Sequence, residues 1–111
     1  MAGKFEISTR SNGEFQFNLM AGNGQVILSS EGYSAKAACL NGVESVKKHS
    51  EDEAFFERLT ASNGSPYFNL KASNGQVIGH SQMYSSTSAR DNGIQSVMTH
   101  APSALLNDKT A

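Results

Sequence analysis

The sequence predicts an α+β fold in which two tandem β-β-β-α(-β) repeats, about residues 4–50 and 55–107, share one antiparallel sheet with two helices on one face. Three observations predict it. Shifted so that Phe5 falls on Phe56, the chain matches itself without a gap as far as Ser50 on Ala101, and about half of the aligned positions are identical, "NGQVI" among them. Apolar residues alternate in each copy before the helix, as in half-buried strands. They then recur at helical spacing near the end of each copy. Ungapped identity of this kind marks duplication of one supersecondary unit. Two units are too few for a solenoid, but each can bury the other's apolar face in a single pseudo-two-fold domain over residues 1–111.

The elements follow in order. Phe5, Ile7 and Thr9 alternate with polar residues and form the first strand. Ser11-Asn12-Gly13 is a turn, and Phe15, Phe17, Leu19 and Ala21 carry the second strand. A three-residue loop with Gly13 left-handed sets Ile7 opposite Phe17 and Phe5 opposite Leu19, all on one face. Asn23-Gly24 is a hairpin signal of type I′, which sets Ala21 opposite Val26 and Leu19 opposite Leu28. In the second copy "AFFERLTA" puts Phe55 and Leu59 on one face and Phe56 on the other, leaving that strand's register open.

A helix follows Tyr33, with Ser34 as N-cap and Ser85 as its counterpart. Ala35, Ala38, Cys39, Gly42, Val43 and Val46 form its apolar face. A helix-interior Gly costs about 1 kcal/mol against Ala. Gly42 and Gly93 therefore point to close approach of helix and sheet; the alternative is that Asn-Gly interrupts the helix. No linker separates the copies, and Ala104–Leu106 suggests a last short strand.

Two copies of a pattern running from [FP]-x-F-x-L-x-A through N-G-Q-V-I to a Tyr, each followed by a helix with N-G-[IV]-x-S-V, resemble the YegP-like family of small bacterial proteins of unknown function. The resemblance spans about residues 4–101. It implies tandem units joined in one antiparallel sheet, helices on one face, and terminal strands exchanged between halves. It implies no activity, catalytic residue or cofactor.

Bulk properties narrow the function classes. A net charge of -1 supplies no basic excess to draw in a polyanion, so nucleic acid is not an expected partner. No stretch approaches the ~18 apolar residues of a membrane span, and the N-terminus has no apolar leader region. Cys39 has no internal partner, which suits a reducing compartment. These features predict a cytoplasmic protein, and the duplication, which places both units in one chain, predicts a monomer; no cofactor is expected and the partner is unknown.

No catalytic constellation stands out. Cys39 falls on the apolar helix face and reads as an inert thiol. His49, His80 and His100 are scattered without metal-ligand spacing, and His49 and His100 fall near helix C-termini, where an imidazole is suited to capping. The helix starts, Ser34 in the first copy and Ser85, Ser86 and Arg90 in the second, are candidate anion sites, with plain capping as the simpler reading. The outer face of the second and third strands gathers Asn18 in one copy and Tyr67, Asn69 and His80 in the other, with Ile27 and Ile78 among them. A polar face turned to water is its ordinary explanation. The functional alternatives are a non-enzymatic binding or interaction module on that face, or a small enzyme built on His80 with Tyr67 or Asn69.

Overall fold

The structure, a computed structural model, describes residues 3–110. Seven strands form one sheet: β1 (Lys4–Thr9), β2 (Phe15–Met20), β3 (Val26–Ser29), β4 (Phe56–Thr60), β5 (Pro66–Lys71), β6 (Val77–His80) and β7 (Leu105–Asp108). Their spatial order is β4-β5-β6-β3-β2-β1-β7. Helices α1 (Lys36–His49) and α2 (Thr87–His100) lie over one face. The halves meet where Ser29 of β3 pairs with His80 of β6.

The alternation has the expected result. Phe5, Ile7, Phe17, Leu19, Leu28, Phe56, Phe68 and Leu70 point inward and bury against Val43, Val46, Ile94 and Val97. Ile7 pairs with Phe17 and Phe5 with Leu19, as the first turn dictates. The strand left open in the second copy places Phe56 opposite Leu70 and Leu59 opposite Tyr67, so Phe56 points inward and Leu59 outward.

Gly42 and Gly93 do mark close approach. A Cβ on Gly42 would stand 2.6 Å from Tyr33 Oη and 3.0 Å from Phe17 Cε2; one on Gly93 would meet Tyr84 Oη and stand 3.2 Å from Phe68 Cε2. Each tyrosine lies nearly parallel to the phenylalanine below it, at 6.4 and 6.3 Å between centroids. The helices run through these glycines unbroken.

Four expectations need correction. The Asn23-Gly24 turn is not a two-residue type I′ loop: Gly24 N donates to Ala21 O, Ala21 N donates to Gln25 O, and Gly24 alone has positive φ, at +85°. This is a three-residue loop with a glycine bulge. The longer loop would turn Leu28 outward, but an extra residue at Ile27 restores the Leu19–Leu28 pair. That bulge carries Ile27 into the core, and its counterpart Ile78 also packs against the core, so neither belongs to the outer face.

The helix caps fall one residue later than expected. Ala35, not Ser34, occupies the α1 cap position and makes no side-chain bond, while Ser86, not Ser85, caps α2. Finally, the sheet is mixed, because β7 pairs parallel to β1. The chain leaving α1 becomes β4 beside β5; the chain leaving α2 would take the equivalent place beside β2, but β1 is already there. β7 therefore adds outside β1, in the same direction, with Lys109 N donating to Ile7 O and Asp108 paired with Lys36 of α1.

Candidate functional site

The face opposite the helices is uncovered by any described element. Register aligns one row of side chains across it: Glu57 stands opposite Asn69, Asn69 opposite His80, His80 opposite Ser29, Ser29 opposite Asn18, and Asn18 opposite Glu6. All project outward, because side chains alternate along each strand. The glutamates at the ends of the row have lysine partners, Lys71 on Glu57 at 3.0 Å and Lys4 and Lys109 on Glu6 at 3.8 and 3.5 Å. The middle four positions carry no formal charge apart from the titratable imidazole.

Asn18, Asn69 and His80 thus lie in one line, and Tyr67 sits two residues from Asn69 on the same face of β5. Of these, Tyr67, Asn69 and His80 line a groove of about 420 Å³ on the second half, together with Glu31, Ser81 and the half-exposed Met83. Asn18 lies outside it, across the row. The groove has the size of small-ligand sites and mixes apolar walls with a few polar groups. Among the described residues, no hydrogen bond orients the His80 ring.

Buried hydroxyls support the groove floor. Ser81 Oγ accepts from Phe68 N at 2.9 Å and donates to Gln82 O at 2.7 Å; Ser30 does the same with Phe17 N and Glu31 O at 2.9 and 2.8 Å. These bonds continue the β2–β3 and β5–β6 pairing past the last ladder residues and fix where Glu31 and Gln82 emerge. Both serines are identical in the repeat, the one sequence signal that could have singled them out.

Of the anion candidates, Ser86 and Arg90 are engaged by the chain itself. Ser34 and Ser85 are exposed ahead of their helices. Ser86 Oγ accepts from Ala89 N at 3.1 Å, and Arg90 Nε donates to Asp91 at 3.2 Å. Arg58 also donates to Asp91, at 3.1 Å, and to Glu53, at 2.8 Å; these hydrogen bonds, Arg58 foremost, hold the Asp91 carboxyl below its ordinary range. Cys39 is fully buried, and burial followed by the nearby Asp108 charge pushes its thiol up, away from thiolate chemistry.

The histidines at the helix ends behave as capping groups. His49 Nδ1 bonds Ser45 O at 2.8 Å while Nε2 accepts from Ser73 N at 3.1 Å, which makes Nδ1 the protonated nitrogen. His100 repeats the first bond, to Ser96 O at 2.8 Å. No three His, Cys, Asp or Glu side chains come together as a metal site among the described residues. Nor is any described helix long and apolar enough to cross a membrane.

Fold and face together define a tandem-repeat α+β protein whose two units complete one sheet and leave its polar side open. A family described as a domain of unknown function, DUF1508, matches residues 11–57 and 61–108, so each matched unit runs from the first turn of a copy to the strand after its helix. A UPF0339 protein of Shewanella oneidensis is 54% identical over 110 residues, covering 99% of this chain and all of that protein. The UPF0339 protein YegP of Escherichia coli is 49% identical over the same coverage. The solution NMR structure of the Shewanella UPF0339 protein superposes with a TM-score of 0.91, covering 97% of this chain and 92% of that one. The E. coli YegP structure gives 0.93 at 48% identity, covering 98% and 94%. The chain belongs to this DUF1508/UPF0339 family.

Proposed function

We propose that the chain is a non-enzymatic binding module that takes its ligand on the open sheet face, in the groove between Tyr67, Asn69 and His80, and that it works as a cytoplasmic monomer. The supporting observation is the groove itself. It is concave and brings apolar walls together with the polar groups of Asn69, His80 and Tyr67. The monomer reading rests on the duplication, since one chain supplies both halves of the sheet. A reducing compartment suits Cys39, which is free and buried.

The test is a two-dimensional amide spectrum recorded with pooled metabolites, short peptides and oligonucleotides. Shifts gathered at Tyr67, Asn69, His80 and Ser81 support the groove. Shifts confined to Ser85, Ser86 and Arg90 would transfer the site to the start of α2, and an unmoved sheet face in every pool would overturn the proposal. Replacing His80 with Ala checks the enzymatic alternative: a binding module tolerates the change with a modest loss of affinity, whereas an enzyme relying on this imidazole loses about 10²-fold or more in turnover.

A further inference from the structure

We infer that the groove is a receptor for an arginine side chain presented by a partner polypeptide, a reading that rests on the binding role proposed above. The observation behind it is a comparison of the two halves of the molecule. Over the first half, the corresponding surface carries the chain's own Arg10. Its Nε donates to Gln16 Oε1 at 2.7 Å and its Nη2 to Ser30 O at 3.4 Å. A Cβ on Gly32 would meet the Glu14 carboxylate first and would stand 3.1 Å from Arg10 Nη1, so Gly32 leaves room for both side chains.

In the repeat alignment, Arg10 corresponds to Ala61, Gln16 to Tyr67, Ser30 to Ser81 and Gly32 to Met83. Tyr67, Ser81 and Met83 are groove-lining residues. The second half therefore keeps the serine, exchanges Gln16 for Tyr67 and Gly32 for Met83, and lacks the arginine. Ala61 follows β4 as Arg10 follows β1, and it is too short to reach across.

The changed residues suit a guanidinium from outside. Tyr67 replaces an amide with an aromatic face, on which a planar cation stacks. The Ser81 carbonyl stands where the Ser30 carbonyl accepts from Arg10. Glu31 adds a carboxylate to the rim, giving the groove an acidic group and no lysine or arginine. Met83 supplies a flexible apolar wall for the methylene stem. The same charge pattern favours an arginine within a polypeptide over the free amino acid, whose α-carboxylate would meet Glu31 and no basic side chain in the groove.

The experiment titrates the ¹⁵N-labelled full chain with the capped tripeptide acetyl-Ala-Arg-Ala-amide. The citrulline and lysine analogues and free L-arginine are run in parallel. The arginine peptide is expected to shift the amides of Glu31, Tyr67, Asn69, His80 and Ser81, with a dissociation constant on the order of 1 mM for so small an anchor. The neutral citrulline peptide should bind at least about tenfold more weakly. Glu31→Gln should weaken binding about threefold to tenfold. Ala61→Arg, which gives the second half its own arginine, should abolish the shifts while the rest of the spectrum keeps its dispersion. Arg10→Ala should add a second set of shifts at Gln16, Asn18 and Ser30.

Equal binding of the citrulline peptide, or undiminished binding to Ala61→Arg, overturns the inference. Free L-arginine binding as well as the capped peptide overturns the assignment to a polypeptide. If other ligands move the groove amides and arginine peptides do not, the arginine assignment falls and the binding face stands. If nothing moves them, both fall.

Discussion

Gly42→Ala is the sharpest test of how helix and sheet fit together. At an ordinary helix-interior position this change stabilises by about 1 kcal/mol, because alanine loses less backbone freedom on folding. Here the added methyl would sit 2.6 Å from Tyr33 Oη, 3.0 Å from Phe17 Cε2 and 3.1 Å from Tyr33 Cζ. Phe17 is fully buried and also packs edge-on against Phe5 at 5.8 Å, so it has nowhere to retreat. Overpacking of this kind costs about 1–3 kcal/mol. The net expectation is a loss of about 0–2 kcal/mol, read as a lower midpoint in urea at unchanged m-value. The closest clash is with the phenol oxygen, which Tyr33→Phe removes. The double variant should therefore recover at least about 0.5 kcal/mol beyond additivity. A Gly42→Ala protein that is more stable than the parent, or a loss unchanged in the Tyr33→Phe background, would refute the close-packing account.

Ser30→Ala and Ser81→Ala should each cost about 1–3 kcal/mol, because the buried N–H of Phe17 or Phe68 loses its acceptor; equilibrium unfolding measures this. His49→Ala should cost about 2–4 kcal/mol, from the lost Ser73 bond and the space left beside Phe55, whose ring meets the imidazole edge-on at 4.8 Å. His100→Ala should cost less, since among the described residues no turn N–H donates to its Nε2. The pH dependence centres on Asp108, whose carboxyl is held down to about 2, first by Lys36 and then by Thr110. A depressed carboxyl contributes stability above its unfolded pKa and loses it as pH falls through the folded one. Exchange of the Lys109 amide, which donates to Ile7 O, should therefore accelerate as pH falls from about 4 towards 2, relative to the β2 amides, and Asp108→Asn should remove that dependence.

The inward face was legible because it follows from periods alone. Phe5, Ile7, Phe17 and Leu19 could be paired before any coordinates, since one register keeps them all on the core side. The β2–β3 turn was not legible, and the reason is specific. Two-residue and three-residue loops at Gly22-Asn23-Gly24 differ by one residue, and a bulge at Ile27 absorbs that difference, so both leave Leu19 opposite Leu28. The hydrophobic pattern cannot separate them. It also misplaces Ile27, because period-two reasoning does not anticipate an inserted residue. The caps slipped for a related reason: Ser85 and Ser86 are both good cap residues, and spacing alone does not choose between neighbours. The parallel β7 depends on no local feature; it follows from β1 holding the place beside β2. Within the candidate site, Asn69, His80 and Tyr67 could be gathered from alternation. Glu31 and Met83 could not, because they lie beyond the strand ends, where Ser30 and Ser81 steer the chain.

The two faces of the sheet have diverged differently since the duplication, and packing explains why. On the inner side, Phe17 and Phe68, Leu19 and Leu70, Gly42 and Gly93, Tyr33 and Tyr84, and Val46 and Val97 are identical pairs. Each pair sits in a close-packed shape that its twin reproduces, so a change in size in either member needs compensation from a neighbour. The inner departures include Leu28 to Gly79, where the missing side chain makes room for Leu28, and Ile7 to Arg58 and Cys39 to Arg90, whose arginines reach Asp91 near the β4 edge. Charged side chains of this sort also blunt an open strand edge. On the outer side no neighbouring layer restrains side-chain size. There Arg10 against Ala61, Gln16 against Tyr67, Ser29 against His80 and Gly32 against Met83 all differ. Differences on an unpacked face could accumulate without consequence, yet three of these four second-half residues line one concavity. Asymmetry gathered at a single place turns a symmetric scaffold into one with a distinct half, as recognition of a single asymmetric partner requires.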